Sequence, residues 1–436
     1  MTEIHLSLIN FPHREVISTI LSGFSNDFEF TAAGVFRRIT PPLCPNCGCP
    51  MSHNGFNTYR KSDLGAINIG RYLCGACRKS LEEDRTFWDN LKTGFFDILT
   101  DIGMRLRLNH VSFEAIEEIM SFLYPRDKDT IRNMVKFAIG ASEVPAVQNI
   151  QFVHYDEQYP KAGRNQKYRL TLLDSPSKQV IADELFDSKD ADTIEEFLRR
   201  NLDTHKPVFI VTDLYRGYSD IFKKVFGNNV THQLCLLHLN KLIVKDFPRR
   251  TSIEQELIKY SLLNIFYNRE PEIEFLSCLI DEETDMLHKS HKEYKVWIKE
   301  AKRLFYEFVH NLELKRRREN QNIGLRSYYE ALSNFKELFS KIDSFEAAVR
   351  KRLMKIKELW PKLTAFYMVD NAPATNNALE NYYSTSLKTH RKKQLAVTGI
   401  EDQMKLSALK RSGILARPRR TLLDAFFMFI PFLNSG

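Results

Sequence analysis

Two C-x2-C pairs, Cys44/Cys47 and Cys74/Cys77, have the spacing for metal chemistry. Each lies in a turn-forming stretch, "CPNCG" and "CGACR", so two facing turns would offer four thiolates to a tetrahedral Zn²⁺. Between them, "YRKSDLGAINIGRYL" alternates like a hairpin, which makes a zinc ribbon of the whole segment. Cys49 and His53 are spare donors, and either could replace one of the four. A closed four-ligand site leaves no open position for catalysis, so the expected role of the zinc is structural.

A second chemistry is suggested by carboxylates. "PVFIVTD" runs from apolar and β-branched residues straight into Asp213, and "FVHYDE" places Asp156 at the end of another strand-like run. If the two strands are neighbours, the carboxylates lie side by side at one edge of a sheet. They repel there, and each is raised in pKa unless a cation sits between them. A hard divalent ion, Mg²⁺ or Mn²⁺, suits aspartate oxygens. Asp174 and Asp183 are rival acids in the same sheet, and Ser219 rather than Asp213 is placed to cap the helix that follows.

The elements that must position these residues can be read in outline. "IQFVHYDEQYP", "KYRLTLLDSP" and "KQVIADELFD" are three β-rich runs of an antiparallel meander, followed by the helix "DADTIEEFLRRNL" and the strand that ends at Asp213. "EQELIKYSLLNIFYN", "YKVWIKEAKRLFYEFVHNLELKRRR" and "FEAAVRKRLMKIKEL" make residues from about 245 to 365 helical. Upstream, Val111, Ile116, Ile119 and Met120 mark a short helix that Ser112 can cap. "YPRDKDT" interrupts the pattern before "TIRNMVKFAI" begins another. Arg132 and Lys136 on that second helix suggest a helix-turn-helix whose second helix enters a major groove; an ordinary helical hairpin is the alternative.

Three strands, a helix and a fourth strand, with Asp on the first and fourth, resemble the ribonuclease H-like fold of DDE transposases and retroviral integrases. The stretch "DNAPATNNALENYYSTSLKTHRKKQ" supplies a third acid: Asn376, Asn377 and Glu380 open a helix expected to continue into Lys388 and Arg391. This resembles the TN-x-x-E signature of Mutator-like insertion-sequence transposases of prokaryotes. Cys235-x2-His238, after the second Asp, resembles the C-x2-H often found there, although a buried Cys and a satisfied His are the plainer reading. Leu387 stands seven residues after Glu380, where such families often carry a basic residue, and Lys388 comes next. Asp370 is the competitor of Glu380.

The resemblance implies that Asp156, Asp213 and Glu380 bind two Mg²⁺ or Mn²⁺ ions for phosphodiester hydrolysis and strand transfer. It implies a large all-α insertion between the second Asp and the Glu. Lys388, Arg391, Lys392 and Lys393 would lie along the path of DNA phosphates. Double-stranded DNA, both terminal repeats and target, is the implied partner, bound by a homodimer or higher assembly in a prokaryotic cytoplasm at the nucleoid.

Composition agrees with that frame. The chain has 436 residues, 43% hydrophobic and 27% charged, with a net charge of +8. The basic runs "KRRRE", "HRKK" and "RPRR" suit an anionic partner, or are solvated faces. Seven cysteines, five of them between 44 and 77, are unlike a secreted disulfide scaffold, and the N-terminus lacks the pattern of a signal peptide. "AFFMFIPFL" (425–433) is too short to span a bilayer and is expected to dock on a core.

The expected architecture is therefore an α/β ribonuclease H-like catalytic core with a large all-α insertion, preceded by a zinc ribbon and a helix-turn-helix. The boundaries are an N-terminal segment (1–40), the zinc ribbon (41–85), the helix-turn-helix (86–147), a first stretch of catalytic core (148–245), the insertion (246–365), a second stretch of core (366–400) and a C-terminal segment (401–436). The functional expectation is a DNA transposase. The alternative is a zinc-ribbon and helix-turn-helix regulator with an inactive core, and a third reading is a nuclease without strand transfer.

Overall fold

The computed structural model describes residues 28–31, 35–59, 67–83, 98–121, 127–162, 165–248, 251–286, 288–321, 323–388 and 395–417. The "AFFMFIPFL" segment, Arg391, Lys392 and Lys393 lie outside them. The chain divides into two compact units, one of residues 1–144 with 405–436 and the other of residues 145–404.

In the first unit, β1 (Phe28–Phe30), β2 (Val35–Arg38), β3 (Met51–Tyr59), β4 (Ile67–Cys74) and β5 (Ser80–Glu82) form one sheet. β3 and β4 pair antiparallel with Met51 opposite Cys74, so the hairpin takes its first strand from Met51–Tyr59, largely ahead of the stretch "YRKSDLGAINIGRYL" expected to form it, which supplies only the second. Helical residues 98–108 (α1), α2 (Phe113–Ser121) and α3 (Lys128–Ala141) build a second core from Leu99, Ile116, Met120, Ile131, Val135 and Ile139. Ser112 accepts from the Ala115 amide, and Asp127 from those of Asp129 and Thr130, so each helix starts where a short polar side chain satisfies its free amides. Leu406, Leu409 and Leu415, far along the chain, complete this core. That closure by C-terminal residues is absent from the sequence reading.

The second unit is built on a five-stranded sheet of β6 (Phe152–Gln158), β9 (Tyr168–Asp174), β10 (Val180–Phe186), β11 (Val208–Thr212) and β12 (Val230–Leu234), in the order β10-β9-β6-β11-β12. The first three are the antiparallel meander, and β6, β11 and β12 run parallel. A small hairpin of β7 (Lys161–Ala162) and β8 (Asn165–Gln166) interrupts the step from β6 to β9.

All of β11 is buried because it is a central strand covered on both faces. Alternate side chains go opposite ways: Val208 and Ile210 join Val153 and Tyr155 under α4 (Ala191–Asn201) and α5 (Tyr218–Phe226), whereas Phe209 and Val211 pack with Cys235 and Ala365. Asp213 is the first residue after the strand.

After α6 (Leu236–Asp246), the insertion comprises α7 (Ile253–Leu263), α8 (Glu270–Met286), α9 (His291–Arg318), α10 (Tyr328–Ser340) and α11 (Ala347–Leu363). Ser252, Ser290 and Ser327 close capping boxes on α7, α9 and α10. The sequence reading holds three of these helices and lacks α8 and α10. Next come α12 (Asn377–Ser386) and α13 (Val397–Arg411), and the boundary between the units falls within α13. The helix after Asn377 ends at Ser386 and does not run on into Lys388. Leu387 is buried among Leu185, Ile400 and Met404, which explains an apolar residue where a basic one is expected, while Lys388 is exposed.

Candidate active site

The acid site starts from register. β6 and β11 pair in parallel with Phe209 beside Phe152 and Val211 beside His154. Continued by two residues, the same register sets Asp213 level with Asp156. Asp156 shares a sheet face with His154 and is opposite in direction to Tyr155 and Glu157. Its Oδ1 accepts from the Glu157 amide at 2.8 Å. Burial, opposed by that bond and reinforced by the charges of Asp213, Glu157 and Glu380, pushes the Asp156 carboxyl up to about 7. Asp213 Oδ1 accepts from the Tyr215 amide at 2.9 Å, which sets the turn leaving the strand. Ser219 is no helix cap: it bonds His232 Nδ1 and receives Lys362.

Glu380 arrives on α12, and that helix is tied to β6 at its start. Asn376 is fully buried at the N-cap, but its side chain makes no cap bond. Its Oδ1 meets His154 Nδ1 at 3.0 Å and its Nδ2 donates to the Tyr155 carbonyl at 3.0 Å, while its amide donates to Cys235 Sγ at 3.1 Å. Further along, Tyr383 donates to the Asp156 carbonyl and Tyr382 to Asp183. Glu380 Oε1 accepts from Lys241 Nζ at 2.7 Å, and His238 Nε2 lies 3.5 Å away. Burial lowers the His238 pKa against the pull of Glu380 and Asp213. Asp156, Asp213, Glu380, His238 and Lys241 thus share one electrostatic neighbourhood.

The rival acids have other work. Asp183 forms a two-pronged ion pair with the fully buried Arg169 and accepts from Thr171. Asp174 accepts from the Ser177 amide and hydroxyl in the turn after β9. Asp370 is exposed. Cys235 is buried and holds Asn376, which makes it a structural residue. The sequence reading missed the clamp of Asn376, Tyr382 and Tyr383 and the cation Lys241. Lys241 was visible in principle, because it lies one helical turn after His238.

In the first unit, the sulfurs of Cys44, Cys47, Cys74 and Cys77 all lie within 4.8 Å of one another, with the closest pairs at 3.5 Å. Tetrahedral Zn–S bonds of about 2.3 Å put sulfurs roughly 3.8 Å apart, so the cluster fits zinc. The Lys79 amide and the Cys44 thiol draw the Cys77 thiol down to about 6 and the Cys77 amide lowers Cys74, whereas Cys47, although the Cys49 amide lowers it, is raised overall by its contacts with the Cys74 and Cys77 sulfurs. Cys49 and His53 stay outside the cluster; His53 Nε2 faces the Ile39 carbonyl at 3.2 Å. On α3, Arg132 pairs with Asp129 at 2.8 Å and Lys136 is half-buried.

Residues 146–397 match the family described as Transposase IS66 family. This chain belongs to the IS66 transposase family. The matched span contains Asp156, Asp213 and Glu380. Outside the family description, an uncharacterized 48.3 kDa protein of insertion element ISM1 from Methanobrevibacter smithii is 23% identical over 231 residues. The match covers 49% of this IS66-family chain and 55% of that protein, so the chain spans about half the length of its curated relative. Among the described residues, no helix is long and apolar enough to cross a membrane.

Proposed function

We propose that this IS66-family chain is a DDE transposase that cleaves and joins DNA with Asp156, Asp213 and Glu380. The observation that carries the reading is that the charges of Asp213 and Glu380 both act on Asp156, where β6 and β11 run parallel and α12 is clamped to the sheet. A carboxyl pushed up to about 7 by burial and its acidic neighbours is a group that would hold Mg²⁺ or Mn²⁺ once deprotonated. Two such ions, when bound, supply charge stabilisation and an activated oxygen nucleophile at phosphorus. The chain's own residues orient that site: Asn376 and Tyr383 hold α12 to β6, and Lys241 holds Glu380.

A strand order of β10-β9-β6-β11-β12, antiparallel then parallel, supports a ribonuclease H-like core, and the kinship with Mutator-like enzymes rests on the N-x-x-E and C-x2-H motifs. The zinc ribbon and a helix-turn-helix of α2 and α3 would bind terminal repeats, with Arg132 and Lys136 facing phosphates together with Lys388, Arg391, Lys392 and Lys393. Joining two element ends calls for a dimer or larger assembly acting on DNA at the nucleoid.

The test is Mg²⁺- or Mn²⁺-dependent nicking and strand transfer on DNA carrying the flanking ends of the gene, with Asp213→Asn beside the parent. Activity lost only in the variant, with DNA binding intact, supports the triad. Equal activity in both would leave a DNA-binding regulator as the better account.

A further inference from the structure

Glu157, next to Asp156 but on the other face of the sheet, is buried away from Asp156. There Tyr155 and Tyr218 donate to its Oε1 at 3.1 and 3.0 Å and Tyr159 to its Oε2 at 2.9 Å. The Lys189 ammonium sits 3.2 Å from Oε2 and donates to the Tyr159 hydroxyl at 2.8 Å. Burying a carboxylate is costly unless its partners are fixed around it, so this hub holds Tyr159 and Lys189 in place.

These fixed groups face outward. Tyr159 is 47% exposed and Tyr215 57% exposed, two large rings left open just beyond β6 and β11, three residues after Asp156 and two after Asp213. The Lys189 ammonium lies 4.8 Å from the Tyr159 ring centre and 5.8 Å from that of Tyr215, bridging them. Tyr215 is also held: it packs edge-on against Tyr218 at 5.0 Å, and a Cβ at Gly217 would lie 2.6 Å from its ring. Two positioned aromatic faces with a cation between them match a nucleotide, the base stacking on a ring and a phosphate meeting the ammonium. Inside a duplex both faces of a base are covered by its neighbours and a blunt end exposes only one face of its last pair, so the ligand that offers its faces freely is an unpaired base.

We infer that Tyr159, Tyr215 and Lys189 form a stacking platform that holds an unpaired nucleobase of the DNA strand beside the acid site. This rests on the proposed action on DNA. It adds that the substrate is engaged with a strand end opened, rather than as intact duplex.

The probe is a mixed-sequence duplex with a short single-stranded overhang containing 2-aminopurine, against the blunt duplex, bound to the full chain in Ca²⁺ and followed by anisotropy and base fluorescence. The expected result is preference for the overhang with base quenching, and about a tenfold loss of that preference in Tyr215→Ala and in Tyr159→Ala. Tyr215→Phe, which keeps the ring, retains the preference, and Gly217→Ala, which displaces the ring, weakens it. Equal overhang affinity in the parent and both alanine variants overturns the platform, as does an equal loss in Tyr215→Phe. Cleavage in Mg²⁺ separates the two readings. Intact overhang preference without Asp213-dependent cleavage supports the platform and sinks the nuclease. Asp213-dependent cleavage in a parent that lacks overhang preference does the reverse.

Discussion

The hydroxyl of Tyr383 donates a 2.7 Å hydrogen bond to the backbone carbonyl of Asp156. Tyr383 lies three residues after Glu380 on the same helix, so the bond ties the carrier of the third acid to the backbone of the first. Asn376 makes the matching tie four residues before Glu380. Fixing two supports on either side of one carboxylate holds it in register with the sheet, as a preorganised site requires.

Asn376→Ala should therefore cost more than a surface change. It leaves His154 Nδ1 and the Tyr155 carbonyl without their partner in a buried place, about 1–3 kcal/mol of stability by urea unfolding. Metal-dependent activity should fall further than stability explains, measured well below the unfolding midpoint. Activity unchanged under those conditions would show that the clamp positions nothing.

Asp183→Asn and Asp156→Asn should move stability in opposite directions. The first leaves the fully buried Arg169 uncompensated and should cost about 3–5 kcal/mol. For the second, the folded-state pKa of about 7 lies above the ordinary 3.8, so the folded chain binds the extra proton between those values and loses stability as pH rises through them. Removing the acid should raise Tm by a few degrees near pH 8 in chelator, with the gain vanishing below about pH 4. A destabilised Asp156→Asn at high pH would contradict the assignment.

Metal affinity at the acid site should share that titration. A divalent ion competes with the proton on Asp156, so Mg²⁺ affinity should weaken by up to about tenfold per pH unit below 7 and level off above it. Calorimetry in buffers of different ionisation enthalpy would read the released proton. A flat affinity between about pH 5.5 and 8 would exclude it.

His232 should make the fold acid-sensitive. Burial, helped by Lys362, lowers its pKa to about 3, below the ordinary 6.5, so the unfolded chain takes up the proton first as pH falls. Its contribution is complete above 6.5 and is lost progressively toward 3, at about 1.4 kcal/mol per pH unit. Comparing His232→Gln with its parent in the Asp156→Asn background, where the opposing titration is gone, should show a shallower pH slope of unfolding free energy. Identical slopes would contradict it.

Zinc content should follow the four clustered thiols. Cys74→Ser should lose the metal and the cooperative unfolding of the first unit, whereas Cys49→Ser should keep one zinc per chain by elemental analysis. Loss of zinc in both variants would put Cys49 among the ligands.

Local features were legible in the order of residues. The C-x2-C turns, the apolar strand leading into Asp213, the helix capped by Ser112 and the N-x-x-E helix start are all written in residues a few positions apart. Helices α8 and α10 went unread although both carry apolar residues at helical spacing, Phe275, Leu276 and Leu279 in the one and Leu332, Phe335 and Phe339 in the other. Which acids meet is a matter of tertiary packing. Strand register sets Asp213 beside Asp156, burial joins Asp183 to Arg169, and contacts more than two hundred residues apart bring Glu380 to the sheet. Short-range sequence can specify each carboxylate's local backbone, but the field that raises Asp156 exists only where separate segments pack together and exclude water.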